Sequence, residues 1–256
     1  MSGVAILFRK ELLESWRTMR LPIVAGLFLL VGLSSPLLAK FLPEIVRAAA
    51  GDQLVGVVVP IPVPSDAADQ LWKNLAQFGA FAAIVLAMGA VATERDRGTA
   101  AFILSKSVSR GAFIVAKVAA IGGVLAVCTA LAVVVGWIYA AILFEPLPVG
   151  GWIAMAFLAW LGLAAWAALT FLGSTVTGSA AAAAGLGFGA LLVLSIASAI
   201  PNLGRFLPGG LAGPAMALAA GVPVEASDVM TPVIATSVLI AVALGVSVWS
   251  FRRQEL

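Results

Sequence analysis

The sequence predicts an all-α membrane protein with six transmembrane helices, and three observations lead to this fold class. Hydrophobic residues make up 62% of the 256-residue chain and charged residues 11%, whereas roughly a quarter of residues are charged in soluble domains. The mean hydropathy is +1.11. Six apolar runs reach the roughly 20 residues that a helix needs to cross a bilayer, and their continuity excludes a β-barrel, whose strands alternate.

The six predicted spans are joined by segments of polar or turn-forming residues. We place the spans at approximately residues 21–42, 75–92, 113–144, 152–172, 180–200 and 232–251. Together they form one transmembrane domain, residues 21–256. Within it, residues 43–74 and 201–231 are long segments on one side of the membrane, and residues 93–112 form a loop on the other side.

Basic residues are unevenly divided between the two sides of this map. Of the 15 Lys and Arg residues, eleven fall on the side of the two termini and four on the opposite side. The positive-inside rule places the richer side in the cytoplasm, so both termini are predicted to be cytoplasmic. A charged segment of about twenty residues precedes the first span, which argues against a signal peptide.

Residues 1–20 are predicted to form an amphipathic helix at the membrane interface. Its apolar stripe contains Ala5, Phe8, Leu12, Trp16 and Met19, and its polar side contains Lys10, Glu11, Glu14 and Arg17. Such a helix lies with the stripe in the acyl boundary and the basic residues near anionic headgroups. A simple cytosolic anchor is the alternative. Pro22 predicts a sharp elbow into the first span.

Three further segments carry local signals. Ser65 is the predicted N-cap of a helix, DAADQLWKNLAQ, that continues into span two. The stretch LAGPAMALAA, within residues 201–231, is too short to cross a bilayer and predicts a re-entrant or surface helix. Span five is rich in Ala and Gly, which favours either a dimer contact or general intramembrane packing.

The residues needed for several kinds of chemistry are absent from the sequence. There is no histidine and one cysteine, so a Cys/His metal site and a histidine-based catalytic set are excluded. No phosphate-binding P-loop motif occurs, so we expect no catalytic residue, no metal site and no ATPase activity in this chain. The middles of the spans lack charged residues, which disfavours a proton- or ion-coupled carrier. Energy must then come from outside the membrane.

The loop after span two is the most organised polar segment. Glu94, Arg95, Asp96 and Arg97 form a mixed-charge exit from the membrane, and Gly98 permits a tight turn. Thr99 can cap the short helix AAFILSK, and Lys117 can extend its amine from span three to the interface. A solvated connector is the alternative interpretation.

This segment resembles the ABC-2-type permeases, the membrane subunits of type V ABC exporters. Their motif runs from Glu through Gly-Thr, Leu and Ser to Val-Ser-Arg and a distant Lys. It is matched by Glu94, Gly98, Thr99, Leu104, Ser105, Val108, Ser109, Arg110 and Lys117. Ser107 stands where the family usually has Pro. The segments RKELLESWR, DQLWKNLAQ, FLPGGLAGPA and the terminal FRR also resemble this family, so the resemblance covers the whole chain.

The resemblance implies a dimer of six-span subunits, formed by two copies or with a homologous permease, and two separate ATPase subunits that bind ATP and Mg. The residues implied to contact the ATPase through the loop are Glu94, Arg95, Asp96, Arg97, Gly98, Thr99, Phe102, Leu104, Ser105, Ser109, Arg110 and Lys117. The residues implied to contact it through the N-terminal elbow helix are Phe8, Lys10, Glu11, Glu14 and Arg17. The implied substrate path includes Phe78, Phe81, Met88 and Ser195.

The function implied by this resemblance is export across the plasma (inner) membrane of a prokaryote, driven by ATP that a partner hydrolyses. No cofactor of this chain and no nucleic-acid partner are expected. The alternative is a non-transporting membrane sensor or scaffold subunit of an ATPase complex. The substrate cannot be read from the residues, because one fold serves unrelated cargoes.

Overall fold

The computed structural model describes residues 3–50, 61–96, 98, 109–200 and 202–253. These residues are helical without any strand, and six helical segments among them are long and apolar enough to cross a membrane. The predicted all-α fold with six spans is therefore confirmed. We number the α-helices of the described residues α1 (Gly3–Arg17), α2 (Arg20–Ala50), α3 (Pro64–Asn74), α4 (Ala80–Met88), α5 (Ala92–Asp96), α6 (Arg110–Leu143), α7 (Val149–Thr177), α8 (Ala180–Ser198), α9 (Ala212–Ala219) and α10 (Ala226–Arg253).

The N-terminal helix is separated from the first span, but not at the predicted position. The break lies at Met19, which has a left-handed backbone with φ of 60°. Pro22 lies inside the first turn of α2, where a proline costs no helical hydrogen bond. The elbow expected at Pro22 is therefore three residues too late.

Span two is the segment Pro64–Asp96, which contains α3, α4 and α5. A π-helical turn, Leu75–Gly79, joins α3 to α4. Helix α3 agrees with the predicted helix DAADQLWKNLAQ that continues into span two, and Ala67, Ala68, Leu71 and Trp72 give it a buried apolar face. The apolar span therefore starts before the predicted residue 75. The predicted N-cap at Ser65 is wrong: Val63 occupies that position, and its N–H donates to the Asp66 carboxylate at 2.9 Å.

Helix α7 lies at the centre of the bundle. It packs against α4, α6, α8, α9 and α10, and its buried side chains include Trp152, Met155, Leu158 and Phe171. Helix α6 packs against α2, and the approach is close at Gly32, where a Cβ would lie 2.6 Å from the carbonyl oxygen of Ala132. Helices α8 and α10 have mostly exposed apolar faces, which suits a lipid environment.

The segment between α8 and α10 does not cross the bundle. It contains two short 3-10 turns, Gly204–Phe206 and Pro208–Leu211, followed by α9. Pro214, Ala215 and Ala219 of α9 are buried, and this helix packs against α7 and α3. Gly151 in the first turn of α7 makes the contact possible, because a Cβ there would overlap the carbonyl oxygen of Leu218.

We predict that Gly151→Ala lowers the midpoint of thermal unfolding by several degrees in detergent, because α9 must move away from α7. The neighbouring variant Gly150→Ala is the control, since its Cβ would meet no atom within 4 Å. Alanine is the better helix former by roughly 0.5–1 kcal/mol, so Gly150→Ala should be neutral or slightly stabilising. Equal midpoints for the two variants would contradict the close contact of α9 with α7.

Candidate functional site

One end of the bundle, which we call the base, collects the polar elements identified in the sequence. Helices α1 and α5, the start of α6, and the last turns of α7 and α10 meet there. The contacts that bring them together include Lys117 with Glu11, Arg95 with Thr175, and Arg110 with Phe251. The base therefore brings together the described residues of the predicted loop and of the elbow helix.

Five charged side chains at the base form one connected network, the base charge cluster: Lys10, Glu11, Glu14, Glu94 and Lys117. Nζ of Lys117 lies 3.0 Å from Oε1 of Glu11 and 3.0 Å from Oε1 of Glu94. Nζ of Lys10 lies 2.7 Å from Oε1 of Glu94, 3.1 Å from Oε1 of Glu11 and 3.1 Å from Oε2 of Glu14. The cluster thus connects α1, α5 and α6.

Burial makes this network different from a surface ion pair. The side chain of Lys117 is 3% exposed, and that of Glu94 is 11% exposed. The ammonium of Lys117 also lies 5.0 Å from the centre of the Phe113 ring. The ammonium of Lys117 is therefore surrounded by protein side chains. Its partners come to it because a buried ammonium needs nearby anions.

The cluster keeps two of its partly exposed members charged. Burial by itself lowers the pKa of Lys10, but its hydrogen bond to Glu94 and the charges of Glu11 and Glu94 outweigh burial, so the pKa is raised above its ordinary value of 10.5. Burial by itself raises the pKa of Glu14, but the hydrogen bond and charge of Lys10 lower it below the ordinary value of 4.5. Both residues are thus ionised at neutral pH.

A cavity of about 410 Å³ lies beside the cluster. Arg20 lines it together with the cluster residues, so three basic and three acidic side chains face the same space. The carboxylates of Glu11, Glu14 and Glu94 have oxygens within 4.8 Å of one another, but the two lysines already supply positive charge between them. The arrangement suits an ion-pair network better than a metal site.

Helix α1 places its polar side against the bundle. Glu11 has a side chain that is 16% exposed, whereas Ile6, Leu13 and Trp16 are 57%, 48% and 61% exposed. Of the basic residues predicted near headgroups, Lys10 pairs with Glu94 of the bundle, and Glu11 pairs with Lys117. Arg17 is exposed as expected, and Phe8 is half-buried.

Two residues of α7 position Glu94. The helix of span two is interrupted between Met88 and Ala92, and the Ser174 hydroxyl accepts hydrogen bonds from the N–H groups of Val91 and Ala92 at 3.1 and 3.0 Å. Arg95 donates to the carbonyl oxygen of Thr175 at 3.1 Å. These bonds satisfy backbone groups left free by the interruption and fix α5 on the end of α7.

After α5, the described residues are Asp96, Gly98 and, from Ser109 onwards, the start of α6. Asp96 is exposed, and Gly98 has a φ of 69°, which confirms its turn conformation. Ser109 caps α6 by accepting from Ala112 at 3.1 Å. Arg110 donates to the carbonyl oxygens of Phe251 and Arg252 at 3.2 and 2.8 Å. Five residues of the predicted ATPase contact lie outside the described residues: Arg97, Thr99, Phe102, Leu104 and Ser105.

The four residues proposed for a substrate path are only partly brought together. Phe81 and Ser195 line one open groove of about 480 Å³ between span two and α8. The Phe81 ring meets Phe188 of α8 edge-on, with ring centres 5.4 Å apart. Phe78 is exposed but does not line this groove, and Met88 is half-buried near the interruption of span two.

A family model described as ABC-2 family transporter protein matches residues 5–256. The chain belongs to this family. It is also 30% identical over 264 residues to the uncharacterized transmembrane protein YxlG of Bacillus subtilis (strain 168), with 100% of this chain and 99% of that protein covered. The resemblance found in the sequence is confirmed, and the protein is a multi-pass membrane component of a transport system.

Several site residues of this ABC-2 chain were missed by the sequence reasoning. The pairing of Lys117 with Glu11 was not predicted, and neither was the role of Ser174. Lys73, Gln77 and Trp72 line the groove beside Phe81. A usable signal existed for Lys73 and Gln77, since polar residues at the start of an apolar span are costly in lipid.

We predict that Lys117→Met destabilises the protein and loosens α1. Removing one member of a buried ion pair costs about 3–5 kcal/mol, because the remaining charges stay buried without compensation. The unfolding midpoint should fall by several degrees, and a cysteine placed at Leu12 should react faster with a maleimide. Native Cys128 is buried and gives a low background.

Arg9→Met is the matched control for that experiment, because Arg9 is an exposed basic residue of α1. The double variant Lys117→Met/Glu94→Gln should recover part of the loss by removing a carboxylate together with its partner. Unchanged labelling at position 12 in Lys117→Met would show that the cluster does not hold α1.

The shifted pKa values predict that the stability contributed by Glu14 and Lys10 is constant around neutral pH and is lost in acid and in strong base. Glu14 has a lowered pKa, so its contribution is complete above 4.5 and disappears as the pH falls through the lowered value. Lys10 has a raised pKa, so its contribution is complete below 10.5 and disappears as the pH rises through the raised value. The difference in unfolding midpoint between the native chain and Glu14→Gln should therefore be constant near neutral pH and vanish in acid. A difference that persists at pH values where Glu14 is protonated would exclude this ion pair as its cause.

Proposed function

We propose that this chain is the transmembrane permease subunit of an ATP-binding cassette transporter, which exports a substrate across the plasma membrane with ATP hydrolysed by separate nucleotide-binding subunits. The observation that carries the proposal is the family match over residues 5–256. It is supported by the base charge cluster, which links the two elements that would receive an ATPase to the membrane helices.

Two sides of α1 have different parts in this proposal. Lys10 pairs with Glu94 of α5, Glu11 pairs with Lys117 of α6, and Glu14 pairs with Lys10, so this side transmits force to α5 and α6. The exposed side, with Leu13, Trp16 and Arg17 among its residues, is available to a partner. We therefore assign the direct ATPase contact to the exposed side of α1, together with Asp96 and the loop of residues 93–112.

The amount of energy required favours a rigid connection over loose charge pairing. Shifting a two-state equilibrium from 1:99 to 99:1 requires about 5.5 kcal/mol of differential binding. Exposed ion pairs each contribute about 0–1 kcal/mol. Movement of the ATPase must then be passed on through buried contacts, and the cluster of Glu11, Glu94 and Lys117 provides one between α1, span two and span three.

The groove between span two and α8 is the proposed substrate path. Lys73 and Gln77 are exposed on the outer turns of span two, at a depth where lipid would leave their polar groups without partners. Phe81 and Ser195 continue this surface. A second permease subunit facing the groove would enclose it, and a substrate could then pass between the two subunits.

The test is ATP turnover by the complex of this chain with a nucleotide-binding subunit, identified by its P-loop motif and reconstituted in liposomes. Arg17→Glu and Asp96→Arg each reverse an exposed charge at the base and should lower turnover and retention of the ATPase about two- to fivefold, the range of one exposed ion pair. Membrane insertion should not change, since neither residue is in the core.

Arg205→Glu is the control, because it reverses an exposed charge in the segment between α8 and α9, away from the base. Purified complexes that contain no ATP-hydrolysing subunit would overturn the proposal. The proposal would also be overturned if Arg17→Glu and Asp96→Arg kept native ATP turnover and retention of the ATPase while Arg205→Glu lost them.

A further inference from the structure

An apolar groove of about 460 Å³ runs between α6 and α10, on the side of α6 opposite the base charge cluster. We call it the α6/α10 groove. Helix α7 forms its floor with Trp160 and Phe171, and its walls include Gly122, Gly123, Ser237 and Leu244. No charged side chain is among its lining residues.

Helices α6 and α10 are in contact near the base. There, the rings of Phe113 and Phe251 stack at 5.5 Å between centres, and Arg110 donates to the carbonyl oxygens of Phe251 and Arg252. Further from the base, a Cβ on Gly122 or Gly123 would meet no atom within 4 Å. Small residues in membrane helices usually allow close packing, but these two glycines line empty space.

The depth of the groove matches the acyl region of one leaflet. At 1.5 Å per residue, Val118 and Leu244 lie about 12 Å along their helices from Arg110 and Arg252, and Ala126 lies about 24 Å from Arg110. Half of a hydrocarbon core is about 15 Å thick, and the interfacial layer adds several ångström. If the arginines lie at the headgroups, the groove therefore extends through the inner part of that leaflet towards the bilayer centre.

The base end of the groove carries positive charge. Arg110, Arg252 and Arg253 lie around the junction of α6 and α10, and Arg252 and Arg253 are exposed. The guanidinium of Arg253 lies 4.1 Å from the ring centre of Trp249, which is 56% exposed. Arg and Trp together are typical of a helix end at the lipid headgroups.

We propose that the α6/α10 groove is a binding site for a phospholipid with an acidic headgroup. One acyl chain fills the space over Gly122 and Gly123, and the headgroup binds near Arg252 and Arg253. A polar occupant of the groove is disfavoured, because the indole N–H of Trp160 already donates to the carbonyl oxygen of Gly122 at 3.0 Å. This inference depends on the fold and does not require the proposed coupling to an ATPase.

The site can be tested by fluorescence quenching of Trp160 with brominated acyl chains. The full-length protein is placed in phosphatidylcholine vesicles that contain increasing fractions of dibromo-phosphatidylglycerol or dibromo-phosphatidylcholine. The Trp160 signal is the difference between the native chain and Trp160→Phe. We expect half-maximal quenching at about a fivefold lower fraction of the acidic lipid, the factor given by one basic residue near an acidic headgroup.

Matched glycine variants locate the site within the protein. Gly123→Leu should fill the groove and abolish saturable quenching of Trp160. Gly245→Leu should not, because Gly245 is exposed on α10 outside the groove, and its Cβ would meet no atom within 4 Å. The double variant Arg252→Gln/Arg253→Gln should give half-maximal quenching at the same fraction of either lipid, without abolishing quenching. This variant decides the question if Gly123→Leu does not fold.

Equal quenching by the two lipids in the native chain would overturn the proposal. So would unchanged quenching in Gly123→Leu. Absence of Trp160 quenching, combined with crosslinks between cysteines at position 123 of two chains, would show that a second copy occupies the groove instead.

Discussion

The structure of the base depends on one buried cation, the ammonium of Lys117. Lys117 is the eighth residue of a 34-residue helix whose other charged residue is Arg110 at its start, and 3% of its side chain is exposed. An ammonium in that position is stable only if carboxylates are brought to it. Glu11 and Glu94 do so from two other elements, and α1 and α5 are consequently held at fixed places against α6.

The interruption of span two likewise requires partners for polar groups that lie inside the bundle. A helix that breaks inside a bundle exposes backbone N–H groups, which must find partners. Ser174 accepts two of these hydrogen bonds at the end of α7. The break is therefore supported by the central helix, and it turns α5 so that Glu94 reaches Lys117. The base charge cluster and the end of α7 are therefore structurally coupled, although they are far apart along the chain.

The sequence predicted the features that depend on composition over long windows. Six spans follow from apolar length, and the turn at Gly98 follows from the conformational freedom of glycine. Pairings set by helix rotation were not predictable: Glu11 and Lys117 are 106 positions apart, and Val91 and Ser174 are 83 apart. For α1, periodicity shows which residues share a face. It does not show which face meets the bundle.

The π-helical turn at Leu75–Gly79 has a consequence for the whole of span two. Such a turn inserts one residue into a regular helix, and each residue advances the helical phase by about 100°. The angular setting of Glu94 relative to Trp72 and Lys73, which precede the turn, thus includes this single insertion. Conversion of the turn to regular α-helix would act like a screw, rotating the half of the span nearer Glu94 against the half nearer Pro64. The relative orientation of the groove at one end of span two and of the base charge cluster at the other end therefore depends on that one inserted residue.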